Sequence, residues 1–80
     1  MPVLFSKTNC PSCLQLKKKL KNEGINFEER NVNNDEEAYV EMIMVGEPGM
    51  SFPVIKINGA YYYNKSDDWI VEKIKSENVK

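Results

Sequence analysis

The feature that most constrains this chain is Cys10-Pro11-Ser12-Cys13, which holds its only two cysteines. It follows a short apolar run, Val3-Leu4-Phe5, and precedes a helical pattern that starts near Leu14. A strand, a C-x-x-C pair and a helix in that order read as a thiol–disulfide redox site. A disulfide across so short a loop adds little stability by loop closure, so stapling is a poor reason for the pair. Two blander readings stand beside the redox one. The cysteines could pack as small hydrophobes, or they could be half of a zinc site. A closed zinc site takes four ligands, and this chain has no histidine to add to its two cysteines. Pro11 suits the first position of a helix, where its missing N–H is no loss, and that favours the redox reading.

The absence of histidine also excludes Cys-His proteolysis and histidine general bases. Eighty residues make at most one domain, residues 1–80, burying about 60% of the unfolded surface or slightly more. A net charge of −1 gives no reason to expect nucleic acid as a partner. The run Lys17-Lys18-Lys19 with Lys21 reads as a solvated helix face. No stretch approaches the roughly 20 apolar residues of a membrane span. The N-terminal apolar run is too short for a secretory signal and lacks a cationic lead-in. The expectation is a cytoplasmic monomer without a membrane partner, in a compartment where a C-x-x-C pair is catalytic or metal-binding.

Taken in order, residues 2–6 predict a short buried strand, followed by a loop at Lys7-Thr8-Asn9. A helix runs to about Asn22, with Cys13, Leu16 and Leu20 as its buried stripe and Leu14 beside it. Gly24 followed by Ile25 is a helix-stop signature. Residues 25–32 read as a second strand, with Ile25 and Phe27 alternating against polar neighbours. Asn33-Asn34-Asp35-Glu36-Glu37 starts a second helix, with an asparagine cap and near capping-box spacing between Asn34 and Glu37. Its apolar stripe is Ala38, Met42 and Val45, and Gly46 and Pro48 end it. Pro53 heads a third strand through Ile57, where a sheet tolerates proline. Asn58-Gly59 predicts a hairpin into a return strand, Ala60 to Tyr63, with Tyr62 facing away from its neighbours. Ser66-Asp67-Asp68 opens a last helix, in which Trp69 is read as packing. Met42 is assigned to the core and Met50 to the neighbourhood of the cysteines. The order is βαβαββα.

These pieces together resemble the glutaredoxins of the thioredoxin-fold superfamily over essentially the whole chain, Val3 to Ile74. The matching pieces are Lys7 three residues before Cys10, the Cys10-Pro11-Ser12-Cys13 site and Ser51-Phe52-Pro53 where the family usually has Thr-Val-Pro. They continue with the Ile57-Asn58-Gly59 hairpin and Ser66-Asp67-Asp68 where the family often has Cys-Asp-Asp. The chain departs from the family at Ser12, where tyrosine is common, at Asn64-Lys65, near the usual Gly-Gly pair, and at Met50, where glutamine or arginine often stands.

The resemblance implies an α/β thioredoxin fold: a four-stranded mixed sheet in the order 2-1-3-4, with strand 3 antiparallel to strand 1. Helices 1 and 3 would cover one face and helix 2 the other. It implies thiol–disulfide exchange on protein disulfides or glutathione mixed disulfides, with glutathione as co-substrate and no tightly bound cofactor or metal. Cys10, at the first turn of a helix whose N–H groups and dipole favour a thiolate, is assigned as the nucleophile. Cys13, one turn in on the buried stripe, is assigned as the resolving thiol. By resemblance Pro53 is cis and faces the cysteines, and the Phe52 backbone pairs with an extended substrate. Pro11 and Ser12 complete the site beside them. Ser66, Asp67 and Asp68 would hold the γ-glutamyl end of glutathione, or simply cap a helix. Lys7 would take the glycine carboxylate, or be a surface lysine. Two alternatives stay open. One is a redoxin reduced by thioredoxin reductase and serving ribonucleotide reductase, whose usual Trp-Ser-Gly-Phe stretch is not seen here. The other is a glutaredoxin that binds an iron–sulfur cluster between two subunits.

Overall fold

The computed structural model describes residues 1–46 and 49–78, the side chain of Asn78 excepted. The elements follow the predicted order: β1 (Val3–Ser6), α1 (Pro11–Asn22), β2 (Glu28–Asn31), α2 (Glu36–Val45), β3 (Val54–Ile57), β4 (Ala60–Tyr62) and α3 (Asp67–Asn78). They form one sheet in the order β2-β1-β3-β4. β1 runs parallel to β2 and antiparallel to β3, which is antiparallel to β4. This is the thioredoxin-type topology expected from the sequence.

Alternation along the central strands sorts side chains onto two faces. Leu4, Ile55 and Ile57 point toward α1 and α3, where they meet Leu16, Leu20, Ile70 and Ile74. Phe5 and Val54 point the other way, toward Ala38 and Met42 of α2. Tyr62 joins the first cluster, while Tyr61 and Tyr63 join the second, as the strand period predicts.

The ends of α1 are set by local chemistry. Pro11 is its first residue, and Cys10 caps it with extended backbone. At the other end Gly24 takes φ +71°. The Gly24 N–H donates to the Lys21 carbonyl and the Ile25 N–H to the Leu20 carbonyl. That pair of bonds is a Schellman stop, and it folds Ile25 back onto the core. Two ion pairs tie α1 to α3: Lys19–Asp68 at 3.2 Å and Glu23–Lys75 at 2.8 Å.

Boundary expectations need correction at several places. β2 is four residues long rather than the eight of residues 25–32. Its ladder is limited by its neighbour: the Glu28 N–H reaches the Pro2 carbonyl and the Val32 N–H reaches the Ser6 carbonyl, the two ends of β1. Ile25 and Phe27 alternate because they pack into the core on the way in, not because they pair. The cap of α2 is Asp35, not an asparagine; its carboxylate accepts the Ala38 N–H at 3.1 Å. Asn31 to Asn34 is consumed by a turn that closes β2, with the Asn33 N–H on the Asn31 side chain and the Asn34 N–H on the Asn31 carbonyl. β3 begins at Val54, because Pro53 has no N–H to give the ladder. β4 stops at Tyr62, one residue short of the expected Tyr63. Asn58 and Gly59 both take positive φ, as a two-residue type I′ hairpin requires. The Pro48 part of the expected α2 stop lies outside the described residues.

A polar belt holds α2 to its face of the sheet. Glu41 pairs with Arg30 of β2 and Lys56 of β3, each at 3.2 Å, and accepts a hydrogen bond from the Tyr61 hydroxyl of β4. Arg30 also pairs with the capping Asp35 at 3.0 Å. The Tyr61 hydrogen bond holds the Glu41 carboxyl below its ordinary range, and Arg30 does the same for Asp35. Among the described residues no helix is long and apolar enough to cross a membrane.

Candidate active site

Cys10 and Cys13 are joined as a disulfide at the N-terminus of α1, with Cα atoms 5.3 Å apart. Their surroundings differ. Cys13 lies on the buried stripe and is 4% exposed, while Cys10 is partly open. The Cys13 N–H donates to the Cys10 sulfur at 3.2 Å. The first turn of α1 contains no acidic residue, so nothing there opposes negative charge on that sulfur. The preceding loop is fixed from both sides. Asn9 takes φ +60°, which asparagine tolerates better than most residues. The Thr8 N–H donates to the Asn33 side chain at 2.7 Å.

Facing this turn is the Phe52–Pro53 peptide, which is cis. The Lys7 ammonium sits over the Phe52 ring, 5.7 Å from its centroid, and so links the β1–α1 loop to the loop before β3. A groove of about 240 Å³ runs from here toward α3. It brings together four of the sequence-predicted residues, Ser12, Phe52, Pro53 and Asp67, and adds Asn64 and Lys65. Asn64 stands near the position of the expected Gly-Gly pair and takes φ +56°, a conformation that otherwise favours glycine. Its side chain then does what glycine cannot: it bonds the Ser51 hydroxyl and donates to the Gly49 carbonyl at 3.0 Å. The Lys65 ammonium lies 4.9 Å from the centre of the Trp69 ring, which packs on Tyr62.

The other predicted residues lie apart from that groove. Pro11 is exposed as the first residue of α1. Ser66 caps α3, its hydroxyl accepting the Trp69 N–H at 3.1 Å. Asp68 turns to Lys19 of α1. Lys7 lines a second cavity, of about 300 Å³, together with both cysteines. That cavity contains groups that reading by motif passed over: Ser6, Lys17 and Glu29. The buried Ser6 hydroxyl donates to Glu29 Oε2 at 3.0 Å, and the Lys17 ammonium reaches Glu29 Oε1 at 3.1 Å. The only signal in the sequence is a serine inside an otherwise apolar β1; the parallel register that puts Leu4 opposite Glu29 is a tertiary fact. A third groove, about 420 Å³ and apolar, lies on the α2 side between Tyr39, Ile43, Met50 and Phe52. Met42 is core as expected, and Met50 lies beside Phe52. Among the described residues no group of three or more metal-ligating side chains is assembled.

The geometry is that of a C-x-x-C disulfide on a helix start, with a cis-proline sharing a groove with Ser12 between the cysteines. The glutaredoxin family model matches residues 3–62. The chain belongs to the glutaredoxin family. It carries that family's thiol–disulfide oxidoreductase signature as the Cys10–Cys13 pair. Glutaredoxins as a family act with glutathione and on disulfide substrates. Among solved structures, the Escherichia coli NrdH-redoxin, described as a glutaredoxin-like protein, superposes with a TM-score of 0.74 at 22% identity, covering 89% of this chain and 91% of that one. A wheat glutaredoxin superposes at 0.65 with 25% identity, over 90% of this chain and 70% of its own. A buckwheat glutaredoxin in complex with glutathione gives 0.64 at 22% identity, over 94% and 68%. Comparison with curated protein sequences returns no match.

Proposed function

We propose that this glutaredoxin-family chain, a single domain over residues 1–80, is a dithiol oxidoreductase. It reduces protein disulfides or glutathione mixed disulfides, drawing electrons from glutathione. The observation that carries this reading is the asymmetry of the pair. Cys10 is open to an incoming disulfide, caps a helix and accepts an N–H on its sulfur, all of which favour its thiolate. Cys13 is buried directly behind it. Cys10 thiolate attacks one sulfur of the substrate, the other sulfur leaves as a thiol, and a mixed disulfide forms. Cys13 then attacks Cys10, releasing the second thiol and closing the Cys10–Cys13 disulfide. Two glutathiones reopen it.

Glutathione fits the groove beside Ser12 and Pro53, with its backbone pairing to Phe52. Its γ-glutamyl carboxylate lies at the start of α3, capped by Ser66, where free N–H groups favour an anion. Asp67 takes the amino group, and Lys7 takes the glycine carboxylate. Asp68, engaged with Lys19, assists only through the charge of the helix start. No tightly bound cofactor is needed, and the protein works as a cytoplasmic monomer.

One observation favours a second donor. The Asn64 side chain spends its hydrogen bonds on Ser51 and Gly49, so this end of the groove is less free to bind a peptide than a pair of glycines would leave it. The competing reading is reduction by thioredoxin reductase. The oxidised protein separates the two. Glutathione with glutathione reductase should reduce it readily, and NADPH with thioredoxin reductase should do so far more slowly. The reverse preference overturns the assignment of the donor.

A further inference from the structure

The exchange reaction requires a proton to leave a buried thiol. Cys13 must lose its S–H proton before it can attack Cys10, because the thiolate is the nucleophile. A buried thiol resists ionising in place. The chain has no histidine to take the proton. What the fold does place in the cavity that Cys13 lines is a carboxylate. Glu29 projects from β2 into the cavity that both cysteines line. It is held there by the buried Ser6 hydroxyl at 3.0 Å and by Lys17, which stands one helical turn after Cys13. The charged groups that face this space are Lys7 from the β1–α1 loop, Lys17 from α1 and Glu29 itself, with Lys21 on the outer side of Glu29. Glu29 is the only acid among them.

We propose that Glu29 is the proton acceptor for the resolving thiol, and relays a proton from solvent to it when the disulfide is reduced. In the resolving step the Cys13 S–H bond breaks and its proton passes to the Glu29 carboxylate. The Cys13 sulfur bonds to Cys10, the bond from Cys10 to the substrate sulfur breaks, and the electron pair leaves with that sulfur, which takes up a proton from solvent. In the reverse direction a thiolate opens the Cys10–Cys13 bond, the Cys13 sulfur leaves with the electron pair, and it is protonated through Glu29, which takes that proton from solvent. A cavity of about 300 Å³ has room for water to carry the proton between the two groups. Ser6 and Lys17 are positioning residues: they fix the carboxylate.

The inference rests on Cys10 attacking and Cys13 resolving, and the test keeps the two apart. Reduced protein is mixed in a stopped-flow instrument with an aromatic disulfide that releases a coloured thiol. The first release reports attack by Cys10, and the second reports resolution by Cys13. Glu29→Gln should leave the first phase and its pH dependence unchanged. It should slow the second at least tenfold at neutral pH, of the order expected for loss of a general base. The deficit should shrink as pH rises and hydroxide takes over, and Glu29→Asp should restore part of the rate. Equal slowing of both phases, an unchanged second phase, or a slower second phase with an unaltered pH profile would each overturn the proposal. A missing first phase in the unmutated protein would instead overturn the assignment of Cys10.

Discussion

The two faces of the sheet are held by different forces. On the α1–α3 face, eight buried aliphatic side chains among the described residues, from β1, α1, β3 and α3, form one cluster that includes Leu16 and Leu20. On the α2 face the buried cluster is only Phe5, Ala38, Met42 and Val54, and the polar belt around Glu41 supplements it. Outside that belt α2 leaves Ile43 and Met44 exposed. The difference follows function. α1 presents the disulfide at its first turn, and its depth and rotation are fixed chiefly by packing, with the Lys19–Asp68 and Glu23–Lys75 ion pairs adding a smaller, pH-dependent part. α2 contributes no residue to the disulfide, and a chargeable attachment suffices for it.

The largest break in this comparison comes from the packed face. Leu20→Ala should destabilise the protein by about 2–5 kcal/mol, as deletion of a fully buried leucine does. Urea denaturation measures it. On the other face Glu41→Ala should cost about 1–2 kcal/mol, since it removes charged hydrogen bonds that are partly open to water. A cost equal to that of Leu20→Ala would erase the distinction.

The smallest effect is the dependence on acid. Glu41 and Asp35 titrate below their ordinary values of 4.5 and 3.8 because of Tyr61 and Arg30. A carboxyl lowered in the folded state contributes stability that is complete above its ordinary value and lost as pH falls through the lowered one. Glu23, held down by Lys75 between α1 and α3, adds to the same loss. The melting temperature should therefore be level from pH 8 to about pH 6 and fall below about pH 4.5. In Glu41→Ala the acid-induced fall should be shallower, though the starting temperature is lower. An identical slope in both proteins would mean the belt carries no linkage to pH.

How far the sequence anticipated this arrangement depended on the range of the interaction. α1 was readable because its signals are local: Pro11 at the start, Cys13, Leu16 and Leu20 on one stripe, Gly24-Ile25 at the stop. The hairpin at Asn58-Gly59 was readable for the same reason. Alternation at Ile25 and Phe27 overextends β2 because it reports burial, which continues past the end of the ladder. The α2 cap is ambiguous in the sequence because Asn33, Asn34 and Asp35 are all good caps. Only the turn after β2 and the Arg30 partner select Asp35 among them. At the site, Ser12, Phe52, Pro53 and Asp67 converge as the motifs implied. Glu29 has no motif, because its place in the cavity lined by the cysteines depends on a parallel strand register and on Ser6. Asn64 keeps the left-handed backbone while adding a side chain to the groove, so its substitution for glycine preserves the turn and alters the surface.

The central claim is the division of labour between the two thiols, and one paired measurement tests it. Cys10→Ser and Cys13→Ser are each offered a protein disulfide, and the products are separated under non-reducing conditions. Cys10→Ser should form no adduct and show no exchange, while Cys13→Ser should accumulate a mixed disulfide through Cys10 that a reductant releases. An adduct on Cys10→Ser, or two variants that behave alike, would contradict the account.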